Sequence, residues 1–550
     1  MEMILFVQIT ILQLALCSTV PTISNRADLN NTIIKTELTN VTTENRTQNE
    51  AKALKKVYLS NRTITCNDGS QSGFYLRRSH LSKKWIVFLE GGWYCYDHPS
   101  CQNRWVKQRH YMTSSQWPET RDVGGILSPN QEENPFWWNA NHVFIPYCTS
   151  DSWSGTRIER NEGGMFNFMG SLIVQQVIRD LIPLGLENST DVLLAGSSAG
   201  GTGVMLNLDL IQEILHDKMG LKHIAVRGVS DSGWFLDRIP FSTGGKLNMS
   251  AIEKGMDIWR GNIPDACKIE HPNEPWKCYF GYKLYPTLKA PLFLFQWLFD
   301  EAQMDADNVG APVTKQQWDY IHKMGNAIRK SFKNVSAVFA PSCISHSVLT
   351  KRDWLQVKID GVSIAEALHC WETIPIRKYN HNNNMKRSRN HHHKEPKIVP
   401  RQVKRIDNEE TRKIRRRKHR GNRKPKIKKN RKNCGIKLKC HQLKHQQQSN
   451  FSPFDHNRSE RSAHHNQKQH QRRPSHCHHR RLEKCSWPQC NRSCPKLHNP
   501  YTGEEMDFIE LLKSFGLDME SVAHALGIDM QTLISMDHTE LLNLLTQQAS

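Results

Sequence analysis

The sequence predicts an α/β fold with a mostly parallel central sheet and helices on both faces. Two observations favour it: apolar runs of strand length that end in turn residues, and helix-like patterns between those runs. Strands that are apolar on both faces and alternate with helices are typical of parallel sheets. The predicted strands are residues 84–90, 142–148, 191–196, 223–229, 291–299 and 335–341, and the clearest helices are 169–182 and 203–215.

Residues 1–19 are typical of a secretory signal peptide. Their apolar run, from about residue 4 to residue 16, is too short to span a bilayer, and small residues follow it. Glu2 stands where a basic residue is usual. Because no later stretch is long and apolar enough for a membrane span, we expect a secreted, extracellular protein.

Cysteine and asparagine usage agrees with secretion. The chain has 15 cysteines, and removal of Cys17 with the signal leaves an even number, which suits disulfides in an oxidising compartment. Spacing alone does not give their connectivity. N-glycosylation sequons, each weak alone, together indicate a glycoprotein. They include those at Asn30, Asn40, Asn45, Asn61, Asn188, Asn248, Asn334, Asn457 and Asn491.

Composition divides the rest of the chain into four segments. Residues 20–56 are polar and sequon-dense, so we expect a disordered, glycosylated leader. Residues 57–376 form the predicted α/β core. Residues 377–480 are rich in His, Arg and Lys and cannot bury a core, which predicts a disordered basic insertion. Residues 481–550 are a cysteine-rich segment and short amphipathic helices that are expected to complete the core.

The basic charge is confined to that insertion. The chain has a net charge of +22, and between residues 377 and 439 there are 26 Lys and Arg against 4 Asp and Glu, which is also +22. The remaining chain is therefore neutral, and the charge says nothing about the fold. We predict no nucleic-acid partner.

A glycine-flanked serine lies between the predicted strand at residues 191–196 and the predicted helix that follows it. In the stretch GSSAG, only Ser198 has a glycine two residues before it, Gly196, and two after it, Gly200. The pattern G-x-S-x-G at a strand-to-helix turn is a nucleophile elbow, which strains the serine backbone and needs small neighbours. A plain Gly/Ser-rich loop also fits these five residues, whereas a phosphate-binding P-loop would need a Lys-Ser/Thr pair that is missing.

A serine nucleophile requires a histidine base and a carboxylate, which follow in the order Ser, Asp or Glu, His in hydrolases with this elbow. Of three histidines late in the predicted core, His322 and His369 lie in helical patterns. His346 follows a strand-like run through a loop and is the best placed. Asp231 and Asp300 both lie at predicted strand ends, and the pattern does not separate them.

Donors for a tetrahedral oxyanion are predicted in FLEGGWYCY, which follows the first strong strand. The backbone N–H groups of Gly92 and Trp93, joined by that of Ala199 after the serine, are the candidates. An ordinary strand-end turn is the alternative interpretation, and the nearby elbow makes it weaker.

Six stretches in one order resemble the Notum family of secreted carboxylesterases, which remove palmitoleate from Wnt proteins. The resemblance covers residues 57–371 and resumes at residue 485, and it extends more thinly to pectin-acetylesterase-like enzymes. The stretches are LEGGWYCY, GSSAGGTGVMLNLD, DSGWFLD, FGYKLYPTL, QWLFDEAQ and APSCISHSV.

This resemblance implies an α/β-hydrolase fold and a serine esterase that works through an acyl-enzyme, without metal or organic cofactor. It assigns Ser198 as nucleophile, Asp300 rather than Asp231 as acid, and His346 as base. Lipidated Wnt proteins are the implied partners, and Wnt signalling would be inhibited. The implied oxyanion donors are Gly92, Trp93 and Ala199, and the implied acyl pocket is lined by Trp93, Tyr94, Phe235, Tyr279 and Phe280.

Two other functions compete with the lipid esterase. An O-acetyl glycan esterase of the pectin type would need a shallow polar cleft, whereas a deep aromatic pocket favours lipid. A non-enzymatic heparan-sulfate-binding protein would use only the basic insertion. The resemblance does not explain that insertion, which is either a tolerated solvated loop or a segment attracted to sulfated glycosaminoglycans on glypicans. Three cysteines lie in it, Cys434, Cys440 and Cys477, so at least one is expected to pair outside it.

Overall fold

A ten-stranded sheet runs through the described part of the chain, which in this computed structural model comprises residues 53–158, 166–242, 249–310, 312, 314–375, 477–497 and 518–536. Contacts divide the chain into two units, residues 1–387 with 475–550, and residues 388–474. The second unit lies outside the described residues. So do the predicted signal peptide, the predicted leader up to residue 52, and the cysteines Cys434 and Cys440.

The sheet is mixed but mainly parallel. The strands of the described residues are β1 (Leu54–Tyr58), β2 (Gly73–Arg77), β3 (Lys84–Leu89), β4 (Thr120–Arg121), β5 (Asn141–Ile145), β6 (Asp191–Ser197), β7 (Ala225–Asp231), β8 (Leu292–Phe295), β9 (Phe299–Asp300), β10 (Val338–Ala340), β11 (Ile344–Ser345), β12 (Lys358–Ile359), β13 (Val362–Ser363) and β14 (Arg480–Leu482). The strand order in the large sheet is β14-β10-β8-β7-β6-β3-β5-β2-β1-β4, with parallel pairing from β14 to β5 and antiparallel pairing beyond β5. This confirms the predicted α/β class.

Helices pack around this sheet according to their apolar faces. In the helix Gly170–Leu181 the buried residues, including Ile173, Val174, Val177 and Ile178, recur at helical spacing. The helix Ala199–Glu213 is instead buried on every side through its first ten residues. A helix apolar all round belongs in the interior. The α-helices are α1 (His98–Lys107), α2 (Gly170–Leu181), α3 (Ala199–Glu213), α4 (Met249–Ile258), α5 (Asp265–Glu270), α6 (Gly281–Leu284), α7 (Glu301–Ala306), α8 (Lys315–Ser331), α9 (Ile364–Glu372), α10 (Met519–Leu526) and α11 (Met530–Ser535).

The central strands end at one level, which brings distant parts of the chain together. Leu89 of β3 pairs with Gly196 of β6, and Ser197 of β6 pairs with Asp231 of β7. Asp231 in turn pairs with Phe295 of β8. The residues that follow these strands therefore share one edge of the sheet, where ligands bind in open α/β sheets.

One predicted strand, residues 291–299, is wrong as a single element. The strand in the main sheet ends with β8 at Phe295. The Gln296 amide still donates to the Phe339 carbonyl of β10, and the Gln296 side chain donates to Asp300. The last two residues of the run form β9, which pairs with β11 instead. The predicted strand-end aspartate Asp300 thus lies on a separate two-stranded unit, and the apolar run hides this break because all its residues are buried.

Two disulfides connect the chain from residue 477 onwards to the core. Cys343 pairs with Cys494, and Cys370 pairs with Cys477, which meets the expectation that an insertion cysteine pairs outside it. The other bridges are Cys66–Cys148, Cys95–Cys101, Cys267–Cys278 and Cys485–Cys490. Six disulfides among the described residues fit folding in an oxidising compartment. Of the helices described here, none has the length and apolar character that a membrane crossing requires.

Removing the Cys343–Cys494 bridge should destabilise the fold more than removing Cys485–Cys490. The first spans 151 residues, of which Cys370–Cys477 already constrains a part, and the second spans 5. Loop-closure entropy then predicts losses of about 4 and about 2 kcal/mol in the free energy of unfolding. Denaturant unfolding of the two double Cys→Ala variants, followed by tryptophan fluorescence, measures both. Equal midpoints would contradict this reading of the bridges.

Candidate active site

Ser198 occupies a strained turn between β6 and α3. Its backbone angles are φ 58° and ψ −124°, outside the usual region for a residue with a side chain. Its amide donates to the Asp231 carbonyl at 2.8 Å, and its carbonyl accepts from the Thr202 amide at 3.0 Å. These bonds anchor the turn on β7 and on the first turn of α3.

The two glycines of the elbow are required by close backbone approach. A Cβ atom on Gly200 would lie 2.1 Å from the Leu89 carbonyl oxygen, and one on Gly196 would lie 2.5 Å from the Gly200 oxygen. Neither neighbour can yield easily, since both are backbone atoms. The spacing that singled out Ser198 therefore has a steric cause.

His346 lies beside Asp300 because of the small parallel pair β9–β11. Ser345 pairs with Asp300 in register, so the next residue, His346, leaves the strand at the carboxylate. Its Nδ1 is 3.0 Å from each carboxylate oxygen of Asp300. With Nδ1 donating its proton to the carboxylate, Nε2 is left as the acceptor that a general base needs.

Asp300 is fully buried and its oxygens have further donors. Gln296 donates from Nε2 to Oδ2 at 3.0 Å, and the amides of Ala302 and Gln303 donate to Oδ1 at 3.0 and 3.1 Å. Buried carboxylates persist in the charged form when several donors replace water. These bonds fix the carboxylate in position against the imidazole.

The surroundings of His346 shift its basicity. Burial lowers its pKa, but the negative charge of Asp300 and the hydrogen bond to it raise the pKa, aided by the charges of Asp231 and Glu301. The net result is a pKa above the ordinary histidine value near 6.5. The imidazole is thus a stronger base than a free histidine.

Asp231, the other candidate acid, has different contacts. Its Oδ2 accepts from Ser197 Oγ at 2.6 Å and from the amides of Val348 and Leu349 at 2.8 and 3.0 Å. It therefore connects the residue before Ser198 to the loop after His346. The hydrogen bond to the imidazole comes instead from Asp300.

The glycine-rich loop after β3 faces the elbow. A Cβ on Gly91 would lie 2.9 Å from the Cβ of Ser198, which shows how closely the two turns approach. Gly92 has φ 143° and Trp93 has φ 62°. Across the described ranges, neither of their amides has a hydrogen-bond acceptor. The Ala199 amide, first in α3, lacks an intrahelical acceptor by position.

A cavity of about 730 Å³ opens on these groups. Apolar walls come from Phe88, Val123 and Phe144, while Arg121 and Arg352 supply charge. Its lining comprises Phe88, Glu90, Gly91, Gly92, Trp93, Gln108, Tyr111, Arg121, Asp122, Val123, Gly124, Phe144, Ser197, Ser198, Ala302, His346, Ser347, Thr350 and Arg352. The serine and the histidine thus open into one space, together with Gly92 and Trp93.

The five predicted acyl-pocket residues form one aromatic cluster. Trp93 stacks on Tyr94 at 4.9 Å between centroids and meets Phe235 edge-on at 5.9 Å. Tyr94 contacts Tyr279 at 6.1 Å, which contacts Phe280 at 5.6 Å. Only Trp93 lines the cavity, and the other four are at most 5% exposed. The cluster therefore continues inward from the cavity wall at Trp93.

Comparison with known proteins identifies the family. Residues 46–397 match the Pectinacetylesterase family model. The Drosophila melanogaster palmitoleoyl-protein carboxylesterase NOTUM is 45% identical over 91% of this chain and 88% of its own length, and the human one is 38% identical over 87% and 80%. A crystal structure of the Wnt deacylase Notum from Drosophila, 48% identical, superposes with a TM-score of 0.60 over 80% of this chain and 99% of that one. The chain belongs to the Notum family. It is a serine carboxylesterase with the α/β-hydrolase fold.

Sequence reasoning missed several residues whose hydrogen bonds hold this site in position. Gln296, which donates to Asp300, was hidden inside an apolar run, although a lone glutamine there is itself a signal. The buried Arg104, which donates to the Gly92 carbonyl, was also missed. Its position three residues after the half-cystine Cys101, on the same helix face, was the available sign. Among the side chains described, no group of three or more His, Cys, Asp or Glu is placed to bind a metal ion.

Replacing Asp300 by Asn should lower kcat about 10³- to 10⁴-fold, because the imidazole loses the partner that fixes its orientation and stabilises its charged form. The acidic inflection in the pH profile of the residual activity should also lie at lower pH than in the wild type. The substitution removes the charge that raises the His346 pKa, while burial, which lowers that pKa, remains. As the base must be neutral, activity is lost when the pH falls through this pKa.

The measurement is kcat/KM for a short-chain ester from about pH 4.5 to pH 9. Asp319→Asn is the matched control, since Asp319 is a surface carboxylate on α8 that pairs with Lys315. An inflection that stays at the wild-type pH in Asp300→Asn would show that Asp300 does not set the basicity of the catalytic base.

Proposed function

We propose that this carboxylesterase hydrolyses the serine-linked palmitoleate ester of Wnt proteins, and so inhibits Wnt signalling, through an acyl-enzyme on Ser198. One observation supports it above all: the strained serine and the carboxylate-paired histidine open into the same cavity. The names of the relatives supply the substrate, since they are palmitoleoyl-protein carboxylesterases and a Wnt deacylase.

In the first half-reaction, Ser198 Oγ attacks the ester carbonyl carbon and its proton passes to Nε2 of His346. The carbonyl oxygen becomes an oxyanion, which accepts hydrogen bonds from the amides of Gly92, Trp93 and Ala199. Collapse breaks the bond to the serine oxygen of the substrate. That oxygen takes the proton from the imidazolium and leaves as a free serine side chain.

In the second half-reaction, water replaces the departed hydroxyl. His346 takes a proton from the water as the water oxygen bonds to the acyl carbon. The oxyanion forms again at the same donors. Collapse breaks the bond to Ser198 Oγ, which recovers its proton from the imidazolium. The fatty acid leaves, and Asp300 stays a carboxylate throughout.

The acyl chain is proposed to lie against Trp93 at the cavity wall, which the buried rings of the aromatic cluster support from behind. The other members of that cluster are Tyr94, Phe235, Tyr279 and Phe280. Each buried methylene contributes roughly 0.8 kcal/mol, so chain length would dominate binding. The continuity of the cluster with the cavity wall supports this placement. An acetyl group would leave that apolar surface unused, which disfavours the glycan esterase.

Acetyl, octanoyl and palmitoleoyl serine esters on one peptide test the proposal. We expect kcat/KM to rise at least about 100-fold from acetyl to the long chains, from the burial of methylenes, and Ser198→Ala to abolish all turnover above about 10⁻⁴ of wild type. Ser197→Ala is the matched control, because the Ser197 hydroxyl donates to Asp231. It should keep the chain-length dependence whatever its rate.

The outcomes separate the competing functions. Turnover confined to the acetyl ester would replace the lipid esterase by an O-acetyl esterase. Full activity in Ser198→Ala would remove the proposed nucleophile. A positive peptide result would then be repeated with purified lipidated Wnt protein, measuring the release of palmitoleic acid.

We also propose that the enzyme is secreted and is retained at cell surfaces by sulfated glycosaminoglycans such as those of glypicans. The support is the charge of residues 377–439, which equals the whole net charge of +22. Polyanion binding of this kind weakens with salt, because bound cations are released. The disulfides of the described core are consistent with the secretory route.

Heparin affinity chromatography of the secreted full chain measures this second proposal. Replacing the basic residues of 412–420 by Ser or Gln should lower the NaCl concentration at elution, because fewer charges contact the polyanion. Ester turnover of a short substrate should stay unchanged. Elution at the same salt concentration would show that this part of the tract does not bind heparin.

A further inference from the structure

Arg104 is a buried cation without a carboxylate partner. It lies on the inner face of α1, three residues after the half-cystine Cys101, and is 5% exposed. No ion pair in the described ranges includes it. A buried charge with no counter-ion destabilises the fold unless other groups replace the lost water. The contacts of Arg104 therefore indicate why a cation is kept at this position.

The guanidinium is surrounded by neutral acceptors and aromatic rings. Nε donates to Ser150 Oγ at 2.9 Å, and Nη1 donates to Gln108 Oε1 at 2.8 Å. The rings of Tyr111 and Tyr147 lie 5.1 and 5.9 Å from its central carbon, within cation–π range. The remaining nitrogen, Nη2, donates to the Gly92 carbonyl oxygen.

That carbonyl belongs to the peptide whose N–H is a proposed oxyanion donor. In a trans peptide the C=O of Gly92 and the N–H of Trp93 point in opposite directions. Fixing the carbonyl on Arg104 therefore fixes the N–H on the other side of the peptide plane. The loop needs such a restraint, because Trp93 has a φ of 62°, which is strained for a residue with a side chain. Gly92 before it has a φ of 143°, which glycine adopts readily and which therefore does not hold the peptide in place by itself.

We propose that Arg104 is a positioning residue for the oxyanion hole: through the Gly92 carbonyl it directs the Trp93 N–H at the reacting oxygen and polarises that peptide. A cation on the carbonyl draws charge from the peptide and makes its N–H a stronger donor, since hydrogen bonds in series reinforce one another. The inference rests on the proposed roles of Ser198 and of the oxyanion amides. Arg104 itself does not contact the substrate.

A ratio of two substrates tests the role independently of protein yield. We would compare 4-nitrophenyl octanoate with its thionoester, in which sulfur replaces the carbonyl oxygen and accepts hydrogen bonds weakly. Arg104→Gln should lower kcat for the oxygen ester by roughly 10- to 100-fold, a fraction of the loss typical of a deleted oxyanion donor. The thionoester should lose much less, so the oxygen-to-sulfur ratio should fall several-fold while KM changes little.

Arg227→Gln is the matched control. Arg227 is also a buried arginine that donates to a backbone carbonyl, that of Ile374, but its partner Asp191 lies at the start of β6, the opposite end from Ser198. It should lower the yield without moving the ratio. Arg104→Lys keeps the positive charge but loses the planar set of N–H donors of the guanidinium. Its oxygen-to-sulfur ratio should lie between those of the wild type and Arg104→Gln.

If Arg104→Gln does not fold, Gln108→Leu still decides the matter. Gln108 is exposed and anchors one nitrogen of the guanidinium, so its loss should move the ratio in the same direction by about two- to threefold. An unchanged ratio in the folded Arg104 or Gln108 variants would overturn the inference while leaving Ser198 as nucleophile. Activity in Ser198→Ala would instead overturn the mechanism on which the inference rests.

Discussion

The close approach of two backbone segments at one edge of the sheet, the end of β3 with the loop after it and the turn after β6, is the constraint on which the site depends. β3 and β6 end side by side, and the chain after β6 turns directly over the end of β3. The clearance is so small that a Cβ on Gly200 would lie 2.1 Å from the Leu89 oxygen. Glycine there lets Ser198 adopt its strained φ of 58° and puts its side chain opposite the Gly91–Gly92 loop. The proposed nucleophile and the proposed oxyanion donors are thus positioned by one steric condition.

A second layer of contacts makes this edge rigid. Asp231 and Asp300 are both buried carboxylates near the ends of strands, and each has at least three donors. Asp231 joins the elbow to the loop after His346, while Asp300 contacts the imidazole itself. Both negative charges raise the pKa of the imidazole, and Asp300 also holds the imidazole by a hydrogen bond. Asp300 reaches the imidazole because the chain after β8 forms β9, which pairs with β11 outside the main sheet.

Sequence patterns predicted most of the elements and the strand-to-helix turn at Ser198 well, and the contacts between distant segments poorly. Ser198 follows from local rules, since the glycine spacing and the strand–helix switch lie within a few residues. Asp300 and Asp231 have the same local pattern, and only the register of β9 with β11 distinguishes them, which no short-range rule supplies. The family resemblance implies Asp300 as the acid, and the hydrogen bond between Asp300 and His346 supports that proposal. Arg104 and Gln296 escaped notice because a buried polar residue is recognised by its partners, and these come from other elements.

Four of the eleven non-glycine residues with positive φ in the described part of the chain lie at this same edge, which ties stability to chemistry. Besides Ser198, positive φ angles occur at Trp93 in the oxyanion loop and at Ser232 and Ser347, which follow β7 and His346. Ser347 donates its amide to the Ser232 hydroxyl at 3.1 Å, so one strained turn supports the other. Each such conformation costs of order 1–3 kcal/mol and persists only where surrounding contacts compensate for it. Here the compensation comes from the buried sheet beneath the turns and from the bonds between them, and it fixes the proposed oxyanion donors and the proposed base in position. A reaction that develops charge on a carbonyl oxygen benefits most from such fixed groups, because no reorganisation remains to be made in the transition state.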